Sequence, residues 1–340
     1  MVDMEYITEQ ITYPPYASKA FNFYFGGRNI GVLDIETTGL SPRRDQFVLG
    51  GLLTVRGSVL TLRQFFAEDP GQEQKALREF LEAISGVDFL LTYNGQRFDI
   101  PFIRERAHGG GENLPYNLDL YLLIKGFSPI RRFLPNLKQK TVENFMGLWA
   151  QRTDEISGKE SVDLYHAYAA RKEPSLKEKI LLHNRDDVLQ LHRLLAVLGK
   201  ADLHKAMFCM GFPVFPDTPE LPELIVEKIS LTGQQLKISG RQAKNALDYR
   251  CYEWEGIPCS VRFNGQERLF WVSAPIIKQS GMTVLDLRAM DLVLPDLRSY
   301  PDCQDDFLIL EKNGEPLYLE INHITKLFLE RILNQWIIKP

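Results

Sequence analysis

The feature that most constrains the fold is an apolar run at residues 30–40 that carries two carboxylates, Asp34 and Glu36. Side chains of a β-strand alternate between its faces, so both acids project from the same side of the predicted strand. Two acids on one face of a buried strand repel each other and are costly to desolvate unless a cation lies between them. Mg²⁺ and Mn²⁺ favour such oxygen ligands. The run therefore predicts a metal site on a central strand.

A second polar group follows the apolar run at residues 88–94, which predicts another buried strand. Asn94 stands where this strand ends, and ligand clefts commonly open at the ends of strands in twisted sheets. Asp99 precedes Pro101, a position typical of an acid that caps a helix. Asp99 could equally complete the carboxylate cluster of Asp34 and Glu36.

A third group interrupts the apolar stripe of a long predicted helix at residues 176–198. His183 and Asp187 are four residues apart and therefore lie on one helical face. Asp187 shares this face with Leu191, which is expected to point inward. A His–Asp pair on a helix is most often a surface ion pair or a satisfied core group. Three other acids that need a cation favour a metal site.

The order of predicted elements indicates two regions in the 340 residues. Strands first, with a hairpin at residues 47–66, and then alternating helices and strands predict an α/β domain with a mixed sheet flanked by helices at residues 29–200. Residues 1–28 are predicted to be an extended N-terminal extension whose aromatics pack on this domain. Residues 205–340 are predicted to form a smaller, mainly β accessory domain of unknown role, with an irregular proline-rich start at 213–222 and a hairpin at 307–321.

The second region carries alternating aromatic and arginine residues that could form a stacking platform for single strands. Alternating aromatics in short strands more often build a core, so we make no prediction of nucleic-acid binding there. The residues concerned are Tyr249, Arg250, Tyr252, Trp254, Arg262, Arg268 and Trp271.

The three polar groups together resemble the three exonuclease motifs of the DEDD superfamily. The matching segments of this sequence are Asp-Ile-Glu-Thr-Thr-Gly-Leu at residues 34–40, Tyr-Asn with Phe-Asp at residues 93–99, and His-Asn-Arg-Asp-Asp at residues 183–187. This is an RNase H-like group that includes DnaQ-type proofreading exonucleases and the exonuclease domains of family B polymerases. The sequence also resembles the bacterial YprB-type RNase H-like domain, and the resemblance implies an RNase H-like fold for residues 29–200. The resemblance covers about residues 28–198.

The resemblance implies that Asp34, Glu36, Asp99 and Asp187 hold two divalent ions, Mg²⁺ or Mn²⁺. Two such ions can stabilise the attacking and leaving oxygens of a phosphodiester displacement. Thr37, Leu40 and Asn94 would contact the substrate.

Supporting polar residues lie near the second and third motifs. Asp119 resembles an acid found after the second motif, although we favour a structural role for it. The basic residues near the predicted cleft could bind phosphates or form a solvated face. They are Arg131, Arg132, Lys138, Lys140, Arg152 and Lys159.

The histidine departs from both known spacings of the superfamily. One subclass has Tyr-x-x-x-Asp and the other His-x-x-x-x-Asp, whereas His183 stands at the tyrosine spacing from Asp187. Aligning Asp187 with the ligand makes His183 the residue near the nucleophilic water, where an imidazole could accept a proton near neutral pH. Asp186 is then predicted to face solvent.

The predicted function is that of a metal-dependent nuclease, a 3′–5′ exonuclease acting on DNA or RNA. The alternatives are a degenerate RNase H-like binding or scaffold protein and a structure-selective endonuclease. The net charge of −4 gives no chain-wide basic character, so nucleic acid would be held by a local patch. No apolar run is long enough to span a bilayer, and the acidic N-terminus does not resemble a signal peptide, so we expect no membrane association and a cytoplasmic location.

Overall fold

The computed structural model describes residues 16–57, 59–108, 111, 113–148, 156 and 158–337. The chain divides into two compact units, Met1–Ala201 and Asp202–Pro340. Each unit has its own sheet system and core. Tyr13 to Pro15 of the predicted extension, Ser157 and the basic residue Arg152 lie outside the described residues.

The first unit is built on a five-stranded mixed sheet in the order β3-β2-β1-β4-β5. Its strands are β1 (Ile30–Thr37), β2 (Phe47–Arg56), β3 (Val59–Phe66), β4 (Phe89–Thr92) and β5 (Tyr116–Asp119). Strand β1 is central, pairing antiparallel with β2 and parallel with β4. The predicted hairpin is formed by β2 and β3, which also pair antiparallel. The mixed sheet of an RNase H-like domain is therefore confirmed.

Helices cover both faces of this sheet. They are α1 (Lys19–Phe25), α2 (Glu73–Ser85), α3 (Asp99–Arg106), α4 (Leu120–Phe127), α5 (Gln139–Phe145), α6 (Gly158–Arg171) and α7 (Pro174–Arg193). On one face, Leu33 and Ile35 of β1 join a core with Phe80 of α2 and Ile100 of α3. On the other face, residues of β2 and β3 pack against Tyr165 of α6 and Ile180 of α7. Strand β1 thus runs through the interior with its two acids on the α7 side.

The N-terminal extension was predicted to be extended, and its described part is instead helical. Ser18 caps α1 by accepting a hydrogen bond from the Phe21 amide at 3.1 Å. Phe21 and Phe25 lie on one face of the helix and contact Phe89 of β4. The expectation that its aromatics pack on the domain is confirmed, but they do so from a helix.

The second unit is mainly antiparallel β-structure, as expected. One sheet has six strands in the order β6-β7-β8-β11-β10-β9, and a second has the order β12-β13-β15-β14 with β16 beside β15. The strands of the six-stranded sheet are β6 (Phe212–Val214), β7 (Glu223–Thr232), β8 (Gln235–Lys244), β9 (Tyr249–Trp254), β10 (Ile257–Asn264) and β11 (Leu269–Pro275). Those of the second sheet are β12 (Ile277–Gln279), β13 (Met282–Asp286), β14 (Cys303–Gln304), β15 (Phe307–Lys312) and β16 (Glu315–Pro316). The helices are α8 (Leu203–Met210), α9 (Pro295–Arg298) and α10 (Tyr318–Arg331).

One prediction for this unit holds in part, and another was wrong. Residues 215–222 of the proline-rich stretch contain no helix or strand, as predicted. Its start differs, because Phe212–Val214 forms the edge strand β6, where a proline is tolerated since one side of the strand needs no donor. The second arm of the predicted hairpin is only two residues long. Helix α10 follows it because Ile321, Ile324 and Phe328 recur at helical spacing and are buried together.

Candidate active site

The two predicted acids of β1 lie on one side of the central strand, as the alternation requires. Asp34 is half-buried and Glu36 is 8% exposed. Their neighbours Leu33 and Ile35 point to the opposite face and fill the core under α2 and α3. The strand therefore presents a pair of carboxylates from a rigid, apolar support.

Asp99 reaches the same place from the start of α3. Its Oδ1 accepts a hydrogen bond from the Ile35 amide at 3.2 Å. The helix cap position belongs to Phe98, so Asp99 does not act as an N-cap. The carboxylate is buried beside the acidic face of β1 and is bonded to the residue between Asp34 and Glu36.

His183 and Asp187 complete the group from one face of α7. His183 Nε2 lies 3.7 Å from Glu36 Oε1 and 3.6 Å from Asp187 Oδ2. The ligand atoms of these three residues all lie within 4.8 Å of one another, a separation that a single metal ion could bridge. The tyrosine-type spacing thus brings the imidazole to two of the four predicted acids. Asp34 and Asp99 lie outside this group of three.

Asp34 and Asp99 lie close enough to the other acids for the negative charges to raise the pKa of each. Burial raises the pKa of Asp34 well above its usual value, and the like charges of Asp187, Asp99 and Glu36 raise it further. Burial also raises the pKa of Asp99 to about 7, although hydrogen bonds from its own amide and the Ile35 amide oppose the shift. Four carboxylates collected in this way are stable in ionised form only with a compensating cation.

Asn184 is a site residue that the sequence interpretation missed. Its side-chain amide donates to Asp34 Oδ2 at 3.0 Å and to the Asp34 carbonyl at 3.2 Å. Gln64 of β3 in turn donates to Asn184 Oδ1 at 3.0 Å. Both amides are buried, so this chain of bonds fixes the orientation of Asp34. Asn184 lies inside the third motif, but nothing in the sequence pairs it with Gln64.

Gly51 provides the space that this network needs. It pairs with Asp34 across β1 and β2. A Cβ atom at Gly51 would lie 2.1 Å from Asn184 Oδ1, where no side-chain atom can be accommodated. The close approach of α7 to the sheet at Asp34 therefore depends on this glycine.

Asp119 and Asn94 form a turn beside the cluster. Asp119 accepts hydrogen bonds from the amides of Asn94 at 2.9 Å and Gln96 at 3.0 Å, and it caps α4 through the Leu122 amide at 3.2 Å. These bonds agree with the structural role favoured for Asp119. Asn94 has a φ of 65°, a left-handed conformation that asparagine tolerates, so the turn after β4 positions its side chain.

Asp186 was predicted to face solvent, and this was wrong. It is only 2% exposed, and its Oδ1 lies 3.2 Å from Nη1 of Arg185. The prediction assumed that a residue next to an inward-facing one points outward. In a layered fold, α7 is covered on more than one side, and Arg185 supplies the charge that a buried carboxylate needs.

A cleft of about 840 Å³ opens over the carboxylates. Leu40, which is 83% exposed, and Phe98 provide apolar walls, whereas Lys138, Lys140 and Lys159 provide cationic ones. Thr37 also lines the cleft, and its hydroxyl donates to the Gly39 carbonyl at 2.6 Å. Asn94 is not among the lining residues. Lys140 lies in α5 and Lys138 directly precedes this helix. The helix is attached to α7 by Gln139, whose side-chain amide donates to the Asp187 carbonyl at 3.1 Å.

The residues present fit a divalent metal ion. Carboxylate oxygens are the preferred ligands of Mg²⁺ and Mn²⁺, and Asp34, Glu36 and Asp187 supply them in an open cleft. Asp99 lies beside them on the Ile35 amide and is not among the lining residues of the cleft. The like charges of the cluster provide an electrostatic reason for binding a cation there.

A match to a protein family agrees with the fold of the first unit. Residues 32–199 match a family model described as the RNase_H superfamily. Together with the mixed sheet and the acidic cluster, this match defines the first unit as an RNase H-like domain, and it supports a nuclease.

Among curated proteins, the chain is 28% identical over 187 residues to the uncharacterized protein YprB of Bacillus subtilis (strain 168). The match covers 54% of this chain and 45% of the relative, so the chain spans less than half the length of the curated protein it matches.

Two solved structures share weaker likenesses. The family B DNA polymerase from the archaeon Pyrobaculum calidifontis is 19% identical with a TM-score of 0.41, covering 57% of this chain and 29% of the polymerase. E. coli Exonuclease I in complex with a dT13 oligonucleotide is 13% identical with a TM-score of 0.36, covering 62% of this chain and 55% of the nuclease. At these TM-scores neither structure adds to the assignment.

Among the described residues, no helix has the length and apolar character that crossing a bilayer requires.

Proposed function

We propose that this protein is a metal-dependent nuclease that hydrolyses phosphodiester bonds of DNA or RNA as a 3′–5′ exonuclease of the DEDD type. The observation that carries the proposal is the convergence of three carboxylates and His183 at one cleft, with Asp99 hydrogen-bonded to the Ile35 amide beside them. The three carboxylates are those of Asp34, Glu36 and Asp187. The direction of attack rests on the motif resemblance alone. We further propose that residues 29–200 are the catalytic domain and residues 205–340 an accessory domain.

Asp34, Glu36, Asp99 and Asp187 are the proposed ligands of two Mg²⁺ or Mn²⁺ ions. When bound, such ions activate a water nucleophile and stabilise the charge on the leaving 3′ oxygen. The protein's part is to fix the ligands before the substrate arrives. Asp34 is oriented by Asn184, and Asp99 is held by the Ile35 amide, so each needs little reorganisation.

His183 is the proposed proton acceptor for the attacking water. Its Nε2 lies between Glu36 and Asp187, 3.7 and 3.6 Å from their nearest oxygens. His183, Glu36 and Asp187 line the same cleft, so the imidazole lies beside the space that the carboxylates surround. An imidazole has an unperturbed pKa near 6.5, which suits proton transfer at neutral pH.

The cleft walls supply contacts that a nucleotide strand needs. Leu40 and Phe98 offer apolar surface to the terminal base, and Lys138 and Lys159 offer charge to the phosphates. Thr37 would contact the terminal nucleotide at the floor of the cleft. Asn94 lies at the turn beside it and is proposed to contact the substrate or a water next to the ligands.

The experiment that tests this proposal is a panel of single- and double-stranded DNA and RNA, labelled at the 5′ end and incubated with Mg²⁺ or Mn²⁺. Stepwise shortening of the labelled strand is expected. Asp34→Ala and Asp187→Ala should abolish it. Asp163→Asn is the matched control, because Asp163 lines the same cleft and lies outside the proposed ligand set. Unchanged turnover in both ligand variants would refute the mechanism.

Blocking the 3′ end separates the exonuclease from the endonuclease alternative. A blocked strand should persist with an exonuclease, whereas internal cleavage of the same strand would show an endonuclease. Calorimetry with Mn²⁺ addresses the degenerate alternative. A protein that neither binds metal nor cleaves any substrate in the panel would be a degenerate RNase H-like scaffold protein.

A further inference from the structure

The six-stranded sheet of the second unit has one buried face and one exposed face. Along β8, Leu236 and Ile238 are buried, whereas Lys237 between them is exposed. Strands β10 and β11 show the same alternation, with Phe263 and Phe270 buried in the core. The side chains that alternate with them form a broad surface across the sheet, which we call the open face.

One row of the open face crosses five strands. The paired residues, in spatial order from β7 to β9, are Lys228, Ser239, Trp271, Arg262 and Arg250. Neighbouring strands lie about 4.8 Å apart, so the row extends over about 19 Å. The adjacent row adds Lys237, opposite Ser230 and Ser273. Basic and aromatic side chains therefore follow a line across the sheet.

Two positive charges of this row face each other across neighbouring strands and repel. Arg250 of β9 and Arg262 of β10 are directly opposite each other, and both are exposed. Like charges in directly opposed positions of an antiparallel pair are destabilising. Of the acids nearby, Glu227 lies 3.3 Å from Arg241, and Glu253 is farther along β9 at the turn into β10. An anion that lies across Arg250 and Arg262 would relieve their repulsion.

The aromatic residues of this region divide between core and surface. Tyr249 packs against Phe263, and Trp254 stacks on Trp336, as the core interpretation predicts. Trp271, in contrast, is 38% exposed at the centre of the row, and the Arg262 guanidinium lies 5.3 Å from the centre of its ring. A large aromatic ring left on an open sheet, with a planar cation beside it, is a surface on which a base can stack.

We propose that the open face binds single-stranded nucleic acid, with Trp271 stacking on a base and Arg250, Arg262 and Lys228 contacting phosphates. An acidic peptide would satisfy the charges but would gain little from the tryptophan, so the combination of features favours a nucleic-acid strand. This binding surface does not depend on hydrolysis in the cleft of the first unit. It is tested by a binding assay that is independent of activity.

The test is fluorescence anisotropy of a labelled oligo-dT and a labelled oligo-U, with the full chain and with EDTA present to prevent cleavage. Trp271→Ala should weaken binding about 5- to 160-fold, the range for loss of one stacked base. Arg250→Gln with Arg262→Gln should lower the salt dependence of log K by about 1.4, or about 0.7 for each phosphate contact.

Matched controls come from the other sheet of the second unit. Phe307→Ala removes an aromatic ring that is 39% exposed, and Lys312→Gln removes an exposed charge. Neither should change binding. Circular dichroism and thermal unfolding of each variant show whether the fold is intact. If Trp271→Ala destabilises the unit, Trp271→Phe keeps a ring for packing and should retain most of the affinity.

Two competitors decide which chemistry is recognised. An abasic strand of equal length should bind more weakly than oligo-dT, and polyglutamate should compete poorly. Unchanged affinity in a folded Trp271→Ala variant would overturn the proposal. Equal binding of abasic strand or polyglutamate would overturn it in favour of a surface for acidic proteins. Oligo-dT and oligo-U side by side show whether the strand is DNA, RNA or either.

Discussion

Replacing Gly51 with alanine should destabilise the first unit through its clash with Asn184. The added Cβ would lie 2.1 Å from Asn184 Oδ1 and 2.8 Å from its Cγ, so the buried amide must move. Overpacking of this kind costs about 1–3 kcal/mol. Displacing the amide also breaks its bonds to Asp34 and Gln64, and a buried group left unsatisfied costs about 1–3 kcal/mol more. We expect a loss of about 2–6 kcal/mol, measured by urea denaturation.

A double-mutant cycle tests the reasoning directly. Asn184→Ala removes the three atoms nearest to the new Cβ, which lie 2.1 to 2.9 Å from it, at the cost of the bonds to Asp34. In that background Gly51→Ala should cost about 3 kcal/mol less than it does alone, since no buried amide has to move. Gly126→Ala is the control, because a Cβ at that glycine meets no atom within 4 Å. If Gly51→Ala is equally costly with and without Asn184, the glycine has another role and the network does not explain it.

The remaining predictions concern the metal site, an ion pair and a buried histidine. Mn²⁺ at 100 times its Kd should stabilise the protein by about 2.7 kcal/mol, seen as a rise in Tm that Asp187→Asn removes. Arg106→Ala should cost about 3–5 kcal/mol in urea unfolding, because Glu73 is 4% exposed and loses its cation, whereas Arg43→Ala at an exposed ion pair should cost under about 1 kcal/mol. Burial, and secondarily the charge of Arg193, lowers the pKa of His192 to about 4. Protonation then favours the unfolded chain, so about 3 kcal/mol of stability present above pH 6.5 should disappear as the pH falls to 4. A His192→Gln variant compared with the parent protein at both pH values should lack this part of the loss.

The sequence predicted the parts of the structure that depend on local pattern. Helix α2 is an example, because its apolar residues recur at helical spacing and Gly86 follows its end. The carboxylates on β1 lie on one side of the strand because alternation leaves no other arrangement. The motif order then gave the candidate ligands, and the structure brings Asp99, His183 and Asp187 to that side.

The supporting network could not be predicted, since its members are far apart in sequence. Asn184 is 120 residues from Gln64 and 150 from Asp34, and no periodicity relates them. The burial of Asp186 depends on how α7 is covered in three dimensions. The tryptophans of the second unit show the same limit. Trp254 and Trp271 occur in similar strands, yet Trp254 is half-buried and stacks on Trp336, whereas Trp271 is exposed on the open face.

The helix that precedes β1 has a consequence for anyone who shortens this chain. Tyr24 and Phe25 of α1 are each 1% exposed, and Phe25 packs on Phe89 and Tyr116 of β4 and β5. A chain that begins at residue 29 would keep every proposed catalytic residue and lose this cover. The rings of Phe89 and Tyr116 would then be exposed to solvent beside the unpaired edge of β5. Such a surface is prone to aggregation. A recombinant catalytic domain should therefore start before Ser18, the residue that caps the helix.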